Sequence, residues 1–263
     1  MSNKAHPQVL AVIPARYAST RFPGKVLAPL AGKPLVVHTY NRTRQARLVS
    51  QTVIATDDAR VAEAVAQHDC RVVMTRRDHP SGTDRIAEVA AGTDAAIIVN
   101  VQGDEPLIDP ATIDAAIRPL LDDPALHMAT ARVRIADWDD VHSPHVVKVV
   151  CDAQGRALYF SRAPIPHPRD AAHVRYTARD ATPECYWQHV GLYVYRRAFL
   201  LEYAQWAPTP LEKLEKLEQL RVLEHGYSMA VVDTAYRSIG VDTPEDLERV
   251  RALLERELAA AGG

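Results

Sequence analysis

A chain of 263 residues that is 47% hydrophobic and 24% charged can bury a substantial core, which excludes an intrinsically disordered segment. A formal net charge of -2 supplies no global positive field, so nucleic acid and anionic membranes are not expected partners and any anion site must be built from local charges. Cys70, Cys151 and Cys185 are odd in number and widely spaced without a C-x-x-C pair, which argues against a disulfide framework or thiolate zinc site and for a reducing cytoplasm.

Residues 1–7 are polar and lack the apolar core of a secretory signal, and no later apolar run approaches the roughly 20 residues that span a bilayer. A soluble protein without membrane insertion is expected. The first apolar run, residues 9–14, predicts a buried strand that opens into the loop V-I-P-A-R-Y-A-S-T-R-F-P-G-K at residues 12–25. Pro14 cannot donate to a central ladder and Gly24 tolerates positive φ, so the loop should begin and turn there. It carries Arg16, Arg21 and Lys25, cations of the kind a triphosphate needs to bind and to let pyrophosphate leave. A solvated basic turn is the alternative, and the position after a buried strand favours function. This is no Walker loop, because Val26 follows Gly24-Lys25 and the upstream glycine is missing.

Val- and Ile-rich runs at residues 52–55, 71–74 and 96–101 predict further strands, while residues 34–48, 59–68, 83–91 and 110–121 space apolar residues three or four apart, as helices do. The alternation predicts an α/β fold with a doubly wound, mostly parallel, Rossmann-like sheet. Ligands of such sheets collect at the carboxyl ends of the strands. That edge gathers the basic loop and Gln102-Gly103-Asp104-Glu105. Between them lie Arg76 and Arg77, which either reach a nucleobase or are a solvated pair. Ser81-Gly82-Thr83-Asp84-Arg85 follows, where hydroxyls at a helix start suit an anion, a base edge or an ordinary N-cap.

Asp104 should project from a tight turn at the ligand edge, where a hard divalent cation wants a carboxylate. Mg²⁺ takes one or two of these and completes its shell with phosphate oxygens and water. Asp242 is a candidate second ligand, although on its own residues a helix cap is the favoured reading.

The rhythm then changes. Strand-like residues 146–150, 157–160 and 190–195 flank a proline-rich, charged stretch at 163–184, read as an inserted subdomain at about residues 145–230 of a single 1–263 domain. Residues 211–225 have helical leucine spacing, too short for a coiled coil, which points to helix packing or a subunit contact. Asp242-Thr243-Pro244-Glu245 opens a last helix. Eleven histidines show no H-x-x-x-H or H-E-x-x-H pairing; His189, beside Gln188 on a strand, is the one singled out.

In order and number these pieces resemble one family, the 3-deoxy-manno-octulosonate (Kdo) cytidylyltransferases. The likeness includes I-P-A-R-Y-A-S-T-R-F-P-G-K (13–25), A-T-D-D (55–58), M-T-R (74–76), H-P-S-G-T-D-R (79–85) and V-N-V-Q-G-D-E-P (99–106). It continues through A-L-Y-F-S-R-A-P-I-P (157–166), H-V-G-L-Y (189–193), L-E-Q-L-R (217–221) and G-V-D-T-P-E-D-L (240–247). The resemblance implies transfer of CMP from CTP to Kdo in support of lipopolysaccharide assembly, with Mg²⁺ as cofactor and a homodimer as the assembly. By matching position, Arg16 and Lys25 resemble triphosphate binders and Asp104 with Asp242 the Mg²⁺ ligands. Arg76, Ser81, Thr83 and Gln102 would line the nucleotide side. Arg162, His189, Tyr193, Glu218 and Gln219 would line the sugar-acid pocket, making the central subdomain the specificity element. Phe22, where the family pattern has an aliphatic residue, and residues 167–184 depart from it. The alternatives are a cytidylyltransferase for a sialic acid or 8-amino-Kdo, and a non-catalytic nucleotide-sugar-binding protein. A nicotinamide dehydrogenase is disfavoured, since no G-x-G-x-x-G follows the first strand.

Overall fold

The structure, a computed structural model, describes residues 7–18, 22–169, 185–237 and 239–261. Residues 1–6, Arg21 and most of the divergent 167–184 stretch lie outside the described residues. Strand Val9–Pro14 (β1) alternates its side chains between two helix layers, as a doubly buried strand must. Ala11 and Ile13 join Val36, Tyr40 and Ile117 on one face, and Leu10 and Val12 join Ile86, Phe199 and Leu200 on the other. A short hairpin, Pro29–Leu30 (β2) with Lys33–Pro34 (β3), leads into helix Leu35–Thr43 (α1).

Strand and helix then alternate as predicted: Gln51–Thr56 (β4), Ala59–Ala66 (α2), Val72–Met74 (β5), Gly82–Ala91 (α3), Ile97–Asn100 (β6) and Pro110–Asp122 (α4). Side-chain caps account for the helix starts. Asp58 accepts from the Arg60 backbone, Ser81 and Asp84 form a capping box, and Asp109 caps a helix whose first residue is Pro110. The predicted 34–48 helix ends early, at Thr43. Farther along, the Asp114 carboxylate accepts from the backbone N–H groups of Arg47 and Leu48 at 3.0 and 2.8 Å and satisfies them without helix.

Beyond α4 come Met128–Arg134 (β7), Trp138–His142 (α5), Lys148–Cys151 (β8) and Ala157–Ser161 (β9). Trp187–Arg196 (β10), Arg197–Tyr203 (α6), Pro210–Glu215 (α7), Leu220–Glu224 (α8), Met229–Asp233 (β11) and Pro244–Ala261 (α9) follow. Among the described residues the main path of the sheet is β11-β7-β10-β6-β1-β4-β5. Every pair along it is parallel except those of β10, which is antiparallel to both β6 and β7. The mostly parallel, doubly wound expectation therefore holds. After β1 the path proceeds outward through β4 and β5, then returns to β6 on the other flank of β1, which makes β1/β6 the topological switch point. Strands β8 and β9 form an antiparallel pair attached to β10 through Gln188↔Lys148.

Two differences from the sequence reading matter. Strands β7 and β11 were not predicted: the centre of β7, Ala129-Thr130-Ala131, lacks the bulky β-branched signal, and its place in the sheet is set by pairing with β10 and β11 on either side. The single helix predicted over 211–225 is two helices, because Lys216 adopts a left-handed conformation at φ 54 that ends α7. Leu217, Leu220 and Val222 turn inward, while Leu214 is left 80% exposed.

Candidate active site

Two loops meet at the switch point because one residue has no side chain. A Cβ on Gly103 would lie 2.7 Å from the Pro14 carbonyl oxygen, so only glycine lets the loop after β6 press against the loop after β1. The Thr39 hydroxyl donates to the Gly103 carbonyl at 3.2 Å and holds it there. On the other loop, Gly24 takes φ 71 and donates its N–H to the Tyr17 carbonyl at 2.9 Å. A single 3₁₀ turn, Lys25–Leu27, follows and sets Lys25 on the cleft.

Lys25 Nζ donates to Asp104 Oδ2 at 2.6 Å, to Asp242 Oδ1 at 2.9 Å and to the Val241 carbonyl at 3.1 Å. The Val241 N–H donates to the Asp104 carbonyl at 2.9 Å, tying the two aspartate-bearing segments together. Helix-capping duty falls to Thr243, whose hydroxyl accepts from the Asp246 N–H at 3.2 Å, and Asp246 Oδ2 accepts from the N–H groups of Asp242 and Thr243. The Asp242 side chain is thereby turned to Lys25. Burial works against the Lys25 charge, but Asp104 and Asp242 outweigh it and hold the ammonium above its ordinary pKa. Behind this clasp, half-buried Phe22 packs with Leu30, Leu107, Val241 and Leu247, so its departure from the family pattern is accommodated in the apolar support of the site.

The cleft, about 380 Å³, is lined by Arg16, Lys25, Ser81, Gln102 and Asp104 among others. Arg16 donates to the His79 carbonyl at 2.8 Å; burial, then Arg85, eases its pKa downward against Asp57 and Asp84. Ser81 is at once the N-cap of α3 and part of the cleft wall, so its two readings are compatible. Arg76 stands elsewhere: its side chain is 68% exposed, lies 3.8 and 3.6 Å from Asp78 and Glu88, and lines a separate groove beside α3 and α6.

The residues expected on the sugar-acid side converge on the turn that follows α7. Thr83 Oγ1 donates to Glu218 Oε2 at 2.9 Å, so Thr83 faces this group. Ser81 Oγ is 3.4 Å from Glu218 Oε1. Tyr193 donates its hydroxyl to Gln219 Oε1 at 3.2 Å, and its ring lies 5.3 Å from that of His189. Arg162 donates to the carbonyls of Pro144, Glu215 and Lys216 at 2.8, 2.7 and 3.4 Å. Burial raises the pKa of Glu218, opposed by Thr83 and Arg221.

Thr130, Asp246 and Arg85 also position the site, and the sequence reading gave them no role. Strand β10 is irregular between Val190 and Tyr193, and the Thr130 hydroxyl donates to the Leu192 carbonyl at 2.7 Å across this irregularity. With that proton committed, His189 Nε2 donates to Thr130 Oγ1 at 2.9 Å, which assigns the tautomer. Thr130 carries no sequence signal beyond its strand. Arg85 belongs to a motif already noted; it is fully buried against Asp57 at 3.1 Å and adds to the positive field at Arg16.

Burial pushes the His189 pKa down to about 3 from 6.5. Between those values the unfolded chain holds a proton the native one lacks, so stability falls as pH drops below 6.5, by at most about 1.4 kcal/mol per pH unit from this group. In His189→Gln, urea unfolding followed from pH 6.5 to 5 should lose that part of the slope. An unchanged slope would show that another group carries the acid sensitivity.

Comparison with known proteins identifies the family. The family model described as cytidylyltransferase matches residues 10–234. A 3-deoxy-manno-octulosonate cytidylyltransferase of Geobacter metallireducens is 59% identical over 251 residues, covering 95% of this chain and 98% of the relative. The one from Solibacter usitatus is 54% identical over 257 residues, covering 97% and 98%. A solved CMP:2-keto-3-deoxy-manno-octonic acid synthetase complexed with CTP superposes with a TM-score of 0.87 at 43% identity, covering 95% of this chain and 99% of that one. A 4-diphosphocytidyl-2C-methyl-D-erythritol synthase from Anaerococcus prevotii, TM-score 0.61 at 12% identity and covering 95% and 97%, shares the fold. With more than half its length inside the family model and relatives matched nearly end to end, the chain belongs to the 3-deoxy-manno-octulosonate cytidylyltransferase family of nucleotidyltransferases.

Proposed function

We propose that this enzyme transfers the cytidylyl group of CTP to Kdo, giving CMP-Kdo and pyrophosphate. The observation that carries the reading is the clasp of Lys25 Nζ between Asp104 and Asp242 at the switch-point cleft. Two carboxylates outnumber the one ammonium, so the clasp would suit a triphosphate with a divalent cation on the carboxylates and with Lys25 and Arg16 facing the phosphates, whose charge must be neutralised as the anhydride bond breaks. The anomeric oxygen of Kdo attacks the α-phosphorus in line, the new O–P bond forms as the bond to pyrophosphate breaks, and the hydroxyl proton passes to solvent. Lys25 and Arg16 bind and orient the phosphates, with Gln102 and Ser81 along the nucleotide. Arg162 faces the sugar-acid carboxylate, and Glu218, Gln219, Tyr193 and neutral His189 orient its hydroxyls. Residues of about 145–230 thus form the specificity subdomain.

Asp104 and Asp242 fit Mg²⁺. Both reach one cation, the Lys25 ammonium, and two carboxylates are what this ion takes from protein when phosphates complete its shell. Among the described residues no cluster of three or more His, Cys, Asp or Glu offers an all-protein cage. Bound there, Mg²⁺ would supply neutralisation of the charge that develops on the triphosphate oxygens. A homodimer in the cytoplasm, feeding lipopolysaccharide assembly, completes the proposal. No helix among the described residues is long and apolar enough to cross a membrane.

Pyrophosphate release across the four nucleoside triphosphates and a panel of keto-sugar acids tests the reading. Turnover should require CTP, Mg²⁺ and Kdo together. Preference for a sialic acid or 8-amino-Kdo would reassign the acceptor, and no release with any pair would leave a binding protein.

A further inference from the structure

Glu215 is the last residue of α7, where a carboxylate faces the negative end of the helix and is disfavoured unless something else holds it. It is held firmly. Ser161 Oγ donates to Glu215 Oε1 at 2.6 Å, the Arg162 N–H donates to Oε2 at 2.9 Å, and Arg162 Nε donates to the Glu215 carbonyl at 2.7 Å. Side chain and main chain of one residue therefore grip the end of β9 from two directions. The far side of the same joint is closed by Lys148, fully buried, whose ammonium donates to the carbonyls of Ser143, Val146 and Arg162 at 2.9, 2.6 and 2.6 Å.

The turn at Lys216 begins one residue later, and it delivers Glu218 to Thr83 and Gln219 to Tyr193. Arg162 is anchored by carbonyl oxygens, which fix the guanidinium without neutralising it, and among the described residues it forms no ion pair. Its charge is left for an anion. Taken with the proposed function, on which this rests, we infer that Glu215 is a positioning residue for the sugar-acid half of the site. It sets Arg162 and the 216–219 turn in register without touching substrate or the nucleotide cleft.

The consequence is a split between the two substrates. Glu215→Ala should raise KM for Kdo about tenfold, the effect of loosening charge-assisted hydrogen bonds, and leave KM for CTP within about twofold. Glu215→Gln keeps the reach and one acceptor, so it should recover part of the loss; Ser161→Ala, which removes a single donor, should shift Kdo alone by about threefold. These two milder variants decide the matter if Glu215→Ala does not fold. Equal rises in both KM values, or folded variants with unchanged KM for Kdo, would overturn the inference. The parent enzyme's choice of sugar acid is read in the same experiment. If it turns over another acid, the reading of the acceptor fails while the Glu215 split is scored with the acid that is used.

Discussion

Asp104→Asn should lower kcat by on the order of 10²–10³-fold at saturating Mg²⁺ while folding stability stays within about 1 kcal/mol of the parent. The substitution keeps shape and the backbone contact in which the Asp104 carbonyl accepts from Val241, so the loop stays in place. What it removes is one of two negative charges shared by Lys25. The pair is partly exposed, with the side chains 14% and 28% accessible, so its Coulombic share in stability is small. Its share in the reaction is large, because the same charge must hold a cation against a triphosphate as the anhydride bond breaks. Circular dichroism, urea unfolding and pyrophosphate release measured on one preparation check the prediction. Near-parent turnover would return Asp104 to a structural role.

Lys25→Ala is the second large effect, a loss of kcat on the order of 10²–10³-fold, as expected for one strong electrostatic donor. It also leaves Asp104 and Asp242 facing each other without the ammonium between them, so a stability loss should accompany the rate loss. The Lys25 contribution to stability is fully present below the unfolded lysine pKa of 10.5 and fades only as pH climbs through the higher folded value. The stability gap between parent and variant should therefore stay constant from pH 7 to 9 and narrow at strongly alkaline pH. Lys25→Arg should rescue poorly, since a planar fork does not replace a compact ammonium serving two carboxylates and a carbonyl. A variant whose folded fraction turns over at the parent rate would make Lys25 structural only.

Local rules carried much of the fold. β1 was legible because Leu10 and Val12 face one helix layer while Ala11 and Ile13 face the other, an all-apolar run that only a doubly covered strand tolerates. α4 was legible from apolar residues three or four apart over 110–121, and α9 from the Asp-Thr-Pro-Glu start. The same rules failed where distant partners decide. Ala129-Thr130-Ala131 became a central strand because β10 and β11 flank it. The leucine spacing of 211–225 hid a break at Lys216, beyond which Leu217 and Leu220 are buried and Glu218 and Gln219 find Thr83 and Tyr193.

The amino-acid sequence by itself determined the alternating elements, the sheet edge on which chemistry would gather and the candidacy of Arg16, Lys25 and Asp104. Each of these depends on neighbours within a few residues, and burial periodicity or turn chemistry records it. Only the tertiary structure decided that Lys25 meets Asp104 and Asp242, 79 and 217 residues away, that Arg76 turns to Asp78 and Glu88, and that Thr83 faces Glu218. Such meetings follow from strand order and from the approach that Gly103 permits, and no local spacing encodes either.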